Sequence, residues 1–282
     1  MVYYLPVLGA LTLAGGTILE RFILKGKKIS IKTYQIASFF SIVAVLLPLL
    51  YFFWKLDPLA LAPKNLFIFS LVILFAMLAN FFVFYSLKGE KIGKLEPARV
   101  LEDFFVILLV LVFSLFSDLY AKNPRIIIPA IIASLALVFS HIEKRHLNFN
   151  KYFVAAILGS FFFALELVIS RLILNFYSPV SFYFFRCALI LLFSLIIFKP
   201  NFKEVNNKMG WTVFFTGMIW VAYRIIVYYG YLKIGIIFTT LILMLGPVFI
   251  YIFAHFFLGE KMSWKNFVAS IIIVAAIVYA VL

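Results

Sequence analysis

Residues 153–174 read FVAAILGSFFFALELVISRLIL, an apolar run interrupted only by Glu166 near its middle and Arg171 five residues later. A bilayer-spanning helix needs about 20 such residues, so this stretch is long enough to cross. A carboxylate at mid-depth costs roughly 2.5–3.5 kcal/mol on insertion scales, and it is tolerated only where the side chain meets protein or water. Glu166 therefore marks a polar place inside a membrane-embedded chain.

The rest of the chain repeats the pattern. Of 282 residues, 66% are hydrophobic, 20% aromatic and 13% charged, with mean hydropathy +1.15, outside the range of soluble domains. Apolar runs fall at about 3–24, 33–54, 65–87, 95–116, 125–142, 152–174, 179–198, 210–232, 235–258 and 264–282. Lipid offers no partners for backbone N–H and C=O, and the runs are too long and too uniform for barrel strands. The expected fold is all-α and integral to the membrane, with ten transmembrane helices. Connections as short as KIG and GEKMSW make consecutive helices antiparallel neighbours. The N-terminal run lacks a basic leader segment and is expected to be a span, not a cleaved signal peptide.

Two halves are visible. A shift of 150 aligns Leu8, Gly9, Arg21, Ile23 and Leu24 with Leu158, Gly159, Arg171, Ile173 and Leu174; a shift of 142 aligns Ile92-Gly93 with Ile234-Gly235 and Asp118 with Glu260. Residues 1–146 and 147–282 are thus expected to be five-helix repeats. An odd helix number per repeat turns the second upside down relative to the first, the arrangement that permits alternating access.

The net charge of +14 sits mostly in short loops, which makes it a topology signal and argues against a nucleic-acid partner. Loops after the odd-numbered runs hold most of it, including Lys25, Lys27, Lys28, Lys88, Lys91, Lys94, Lys144, Arg145, Lys199 and Lys203. The alternate loops hold only Lys55, Lys64, Lys122, Arg125, Arg171 and Lys233. By the positive-inside rule the richer loops are cytoplasmic and both termini lie outside. The lone Cys187 precludes a disulfide within the chain and is read as packing; the three histidines have no metal-ligand spacing. No cofactor motif or metal site is expected.

Ionisable residues recur at depth. Arg186 lies within run seven and Arg224 within run eight, at heights similar to Glu166. Run four opens KLEPARVLEDFF, where Glu102 and Asp103 suit a helix start and Arg99 can reach both; Asp103, about 9 Å past Pro97 at 1.5 Å per residue, is deep for an idle carboxylate. Arg99, Arg186 and Arg224 balance Glu102, Asp103 and Glu166, which fits a zwitterion or a closed internal network better than a strong anion. Tyr223 and Tyr228 are deep enough to line a cavity. In run nine, Gly246-Pro247 breaks the helix by depriving the Leu243 carbonyl of its N–H partner and is read as a hinge.

Together these features resemble the drug/metabolite transporter superfamily, specifically its ten-helix EamA-type branch. The resemblance rests on Gly246-Pro247-Val248-Phe249 followed by Leu258-Gly259-Glu260-Lys261-Met262-Ser263, and on Leu158-Gly159 to Arg171 leading through Ser178-Pro179 to Arg186. Glu166, in Ala-Leu-Glu-Leu-Val, is similar to the membrane-embedded glutamate of the small multidrug-resistance relatives, which binds protons and cationic substrate in turn. The chain departs from the family in lacking a proline at Phe105 and in its charge bias, since the family keeps both termini cytoplasmic.

The function expected is secondary transport of a small polar or charged metabolite, amino-acid-like, with protons as a candidate coupling ion, in the inner (cytoplasmic) membrane of a cell. Glu166 is the expected proton or amine site, and Arg186 and Arg224 the carboxylate or phosphate partners. Tyr223, Tyr228, Arg99, Glu102 and Asp103 complete the substrate-binding set. Nucleotide-sugar or organophosphate exchange is the alternative, and a lipid-flipping or non-transporting subunit a further one. A membrane-embedded transferase would need two carboxylate clusters for Mg²⁺; only Glu102-Asp103 are adjacent, so no enzyme is expected.

Overall fold

A computed structural model describes residues 4–25, 29–89, 95, 98–120, 123–141, 150–258 and 264–282. The helices are α1 (Tyr4–Lys25), α2 (Ile31–Phe53), α3 (Pro63–Gly89), α4 (Leu101–Phe113), α5 (Pro124–His141), α6 (Lys151–Ser170), α7 (Pro179–Ile197), α8 (Asn207–Lys233), α9 (Ile236–Leu243), α10 (Leu245–Leu258) and α11 (Trp264–Val281). Among the described residues, seven helical stretches are long and apolar enough to cross a membrane, and Tyr4–Glu20 and Pro124–Ser140 are shorter apolar helices. The Glu96-Pro97 helix start and the Gly259–Ser263 turn lie outside the described residues.

Helix ends follow local chemistry. The Asn150 side chain accepts from the N–H groups of Tyr152 and Phe153, and Asn206 from Met209, satisfying donors that a helix start leaves open. Two boundaries differ from the sequence reading. The run at 95–116 turns at Val100, so Glu102 and Asp103 occupy the first turn of α4 and not its second. The run at 235–258 is two helices, α9 and α10, parted at Met244 just ahead of Gly246-Pro247, because Pro247 supplies no N–H to the Leu243 carbonyl.

The packing pairs recur between the two halves. Helix α3 lies along α6 as α1 lies along α8; α4 meets α6 as α9 and α10 meet α1; α2 pairs with α7, and α5 with α11. The glycines aligned by the 150-residue shift sit at matching crossings. A Cβ on Gly159 would lie 2.7 Å from Val83 Cγ2 and 3.2 Å from its backbone N; one on Gly9 would lie 3.0 Å from Ile226 Cγ2 and from Leu243 Cδ2. Small residues at such points let helices approach in lipid, where no hydrophobic effect drives them together.

Helices α2 and α7 are joined at both ends by equivalent hydrogen bonds. Ser30 caps α2, accepting from the Thr33 N–H while its hydroxyl donates to Thr33 Oγ1 at 2.8 Å; Thr33 Oγ1 in turn accepts the Asn201 N–H at 3.1 Å, just past the end of α7. Ser178 caps α7 in the same way, donating to Ser181 Oγ at 3.0 Å, and Ser181 Oγ accepts the Lys55 N–H at 3.0 Å, just past the end of α2. Glu204 Oε2 reinforces the first clamp by accepting the Ser30 N–H at 2.6 Å, and the Asp57 N–H to Phe176 carbonyl bond, 2.8 Å, reinforces the second.

Candidate functional site

Glu166 is fully buried on α6, where four side chains converge on it. Arg186 Nε from α7 lies 2.9 Å from Oε1, and Arg224 Nη1 from α8 lies 3.8 Å from Oε2. The Tyr228 hydroxyl donates to Oε1 at 2.9 Å, and Ser170 Oγ, bonded to the Glu166 carbonyl, is 3.3 Å from Oε1. The Arg186 Nε–H is not aimed along its contact, so that pair is held by charge more than by a directed hydrogen bond. Tyr228 is wedged edge-on against Phe182 and Tyr183, with ring centroids 5.1 and 6.1 Å away. One carboxylate thus serves as counter-ion to two buried guanidiniums.

Both arginines face a cavity of about 100 Å³ that Glu166 and Tyr228 do not line. Its polar wall comprises Glu20, Ser38, Asn80, Arg99, Glu102, Arg186 and Arg224, and its apolar wall includes Phe39, Phe84, Phe163, Trp220 and Tyr223. A second cavity of about 70 Å³ shares Arg99, Glu102 and Tyr223 with the first and adds Asp103 and Pro247. The guanidinium of Arg224 is flanked by Phe163 and Tyr223 at 5.3 and 5.6 Å, a placement that holds the cation over ring faces. Arg224 is only 7% exposed, and its Nη1 has no hydrogen-bond partner among the described residues. A buried donor without an acceptor costs about 1–3 kcal/mol, more for a charged group, unless something else fills the need. Here Glu166 Oε2, 3.8 Å from Nη1, balances the charge without a hydrogen bond, while the residue itself lines the cavity.

The structure therefore divides the residues singled out in the sequence. Arg99, Glu102, Arg186, Tyr223 and Arg224 line the main cavity; Asp103 and Pro247 line the smaller one. Glu166 and Tyr228 stand behind the wall as support. Gly246 packs against α1, where an added Cβ would lie 2.8 Å from Leu13 Cδ2. Among the described residues, no group of His, Cys, Asp and Glu could hold a metal ion.

Sequence reasoning missed Glu20. It is 7% exposed, lines the main cavity and accepts a hydrogen bond from the Tyr34 hydroxyl at 3.0 Å. It lies inside the first run, beside Arg21 and near the run's end, and the sequence reading did not weigh it for depth. Helix α1 continues to Lys25, more than a turn further, which draws Glu20 inside.

Residues 150–282 match the sequence model of the EamA-like transporter family. That match assigns residues 150–282, the second half of the chain, to the EamA-like transporter family, whose members move small molecules across membranes. A crystal structure, described in no more detail than that of a protein, superposes with a TM-score of 0.66 over 99% of this chain and 96% of its own, at 16% identity. At that identity the likeness is one of fold. A comparison with curated proteins returns no match. The chain is an integral, multi-pass membrane protein.

Proposed function

We propose that the protein is a secondary transporter of a small zwitterionic or otherwise charged metabolite of amino-acid type, working by alternating access in the inner membrane of a cell. The observation that carries this reading is the buried guanidinium of Arg224 on the wall of a cavity that also bears Arg186, Glu20 and Glu102. A ligand carboxylate satisfies the guanidinium with a charge-assisted hydrogen bond, and its ammonium group is matched by the acids. Aromatic side chains between the charged groups suit an apolar substituent. Substrate and protons are the proposed partners, and the lipid bilayer the solvent.

Ten membrane-crossing segments in two inverted five-helix halves, 1–146 and 147–282, are supported by the recurrence of helix pairs, by the matching of Gly9 with Gly159, and by the twin clamps at Thr33 and Ser181. Two halves related in this way exchange roles when the cavity changes sides. The break at Met244 and Pro247, beside the smaller cavity, is the proposed hinge. In the present arrangement the cavity runs from Arg186 and Arg224 past Ser38 and Phe84 to Glu20.

Nucleotide-sugar or organophosphate exchange is less well supported, because a strongly anionic ligand would be repelled by Glu20 and Glu102. Fluorescence of Trp220, which lines the cavity, offers a binding test. L-Phenylalanine and other free amino acids are expected to change the emission of the purified protein in a saturable way, while their methyl esters, which lack the carboxylate, leave it unchanged. Equal responses to ester and free acid, or a response confined to phosphate compounds, would overturn the proposal.

A further inference from the structure

Helices α2 and α7 run antiparallel beside each other and are tied at three heights. Where α2 begins and α7 ends, the Asn201 N–H donates to Thr33 Oγ1 at 3.1 Å and the Ser30 N–H to Glu204 Oε2 at 2.6 Å. One turn further in, Gln35 Nε2 donates to Ser194 Oγ at 2.9 Å, and both side chains are buried. Where α2 ends and α7 begins, the connecting segments pair as a short antiparallel bridge with Leu56 opposite Tyr177. The Asp57 N–H donates to the Phe176 carbonyl at 2.8 Å, the Ser178 N–H to the Lys55 carbonyl at 3.3 Å and the Lys55 N–H to Ser181 Oγ at 3.0 Å. The 23 residues of α2 cover roughly 34 Å at 1.5 Å per residue, about the thickness of a bilayer core, so the outermost ties lie at its two faces.

We infer that α2 and α7 form a fixed strut that parts at neither end, and that the cavity changes sides by movement of the helix groups flanking it. Thr33 and Ser181 hold equivalent places in the two proposed halves, so a reversal that exchanges the halves exchanges the end ties. Both ties are made at once, and the reversal asks neither to break; a gate between these helices would show one end tied and the other free. The Gln35–Ser194 bond adds to this, because lipid offers no substitute partner for a separated amide. The bridge is also built into the ion cluster. Tyr177 stacks on Phe69 at 5.8 Å and meets Phe182 at 5.4 Å; Phe182 meets Tyr228, whose hydroxyl holds Glu166. Parting the bridge would pull on the carboxylate that neutralises Arg186 and Arg224. Motion is left to α1 with α8 and to α3 with α6, pairs that lie side by side and face each other across the main cavity, Arg224 against Phe163.

A strut of this kind deepens the transporter reading and rests on it for the motion that it confines. Its first test needs no transport, so the two can fail separately. The amides of Asp57, Ser178 and Asn201 lie in connecting segments, and hydrogen exchange followed by mass spectrometry on the purified protein in lipid reports whether their bonds open. They are expected to exchange at least about a hundredfold more slowly than unbonded loop amides, at both ends of the strut. Exchange at either end as fast as in an unbonded loop would overturn the inference. The second test is a disulfide across the bridge, Leu56→Cys with Tyr177→Cys in a Cys187→Ala background. This is the non-hydrogen-bonded pair of the bridge, where Cα atoms stand about 4.5 Å apart, within reach of a disulfide. The oxidised protein in liposomes is expected to carry out amino-acid counterflow at the rate of the reduced protein. Counterflow lost on oxidation and regained on reduction would overturn the strut. Protected amides with no counterflow in either form would count for the strut and against transport.

Discussion

Replacing Glu166 with Gln preserves shape and removes the charge that two guanidiniums depend on. At an effective dielectric of about 20, unit charges at the observed 2.9 and 3.8 Å attract by roughly 6 and 4 kcal/mol before desolvation is subtracted. Breaking a buried pair by removing one partner costs about 3–5 kcal/mol, and Glu166→Gln should fall in that range. Arg186→Gln should cost somewhat less, about 3 kcal/mol, since Glu166 keeps the Tyr228 hydroxyl and the more distant Arg224. Arg224→Gln should cost least, because Glu166 keeps its closer partner and Arg224 Nη1, 3.8 Å away, makes no hydrogen bond among the described residues. Cys187, the one cysteine and fully buried, supplies the assay: a thiol-reactive dye reports its exposure as detergent-solubilised protein is heated. The order of apparent midpoints should be wild type, Arg224→Gln, Arg186→Gln, Glu166→Gln. A Glu166→Gln protein that melts with the wild type, or above Arg224→Gln, would refute the reasoning.

The helix crossings and clamps can be tested with the same dye. Gly159→Ala forces a methyl against Val83 and its backbone and should destabilise by about 1–3 kcal/mol, whereas the nearest atoms to a methyl at Gly9→Ala are side-chain carbons of Ile226 and Leu243 at 3.0 Å, so it should cost less; the reverse order would contradict the packing. Thr33→Val and Ser181→Ala each delete one clamp acceptor and should lower stability by about 0.5–1.5 kcal/mol apiece, adding in the double variant because the clamps lie at opposite ends of α2 and α7. A large effect from one and none from the other would argue against their equivalence. Arg224→Gln should keep the fold yet lose the Trp220 response to L-phenylalanine; a retained response would move the carboxylate site elsewhere.

Composition made the membrane class legible, because a chain so apolar has no other solvent in which to fold. The similar heights of Glu166, Arg186 and Arg224 also pointed to a common place, and the structure does bring them together. What the sequence did not carry was direction around each helix. Whether Glu166 or Arg224 turns toward open space depends on which neighbours pack on α6 and α8, and apolar runs this uniform offer no amphipathic stripe to tell. Glu20 was obscured by its neighbour Arg21 and by its place near the end of the first run, where a charged side chain is ordinary. The clamps had no side-chain signature either. Ser30 and Ser178 look like ordinary helix caps, and the partners of Thr33 and Ser181 are backbone N–H groups from distant loops.

Counterflow in proteoliposomes tests the central claim most directly. Vesicles loaded with an unlabelled amino acid and diluted into a trace of the same labelled compound should transiently accumulate label for at least one member of an amino-acid panel, and Arg224→Gln should abolish the accumulation. A panel giving nothing above protein-free vesicles, or accumulation undiminished without Arg224, would contradict the account.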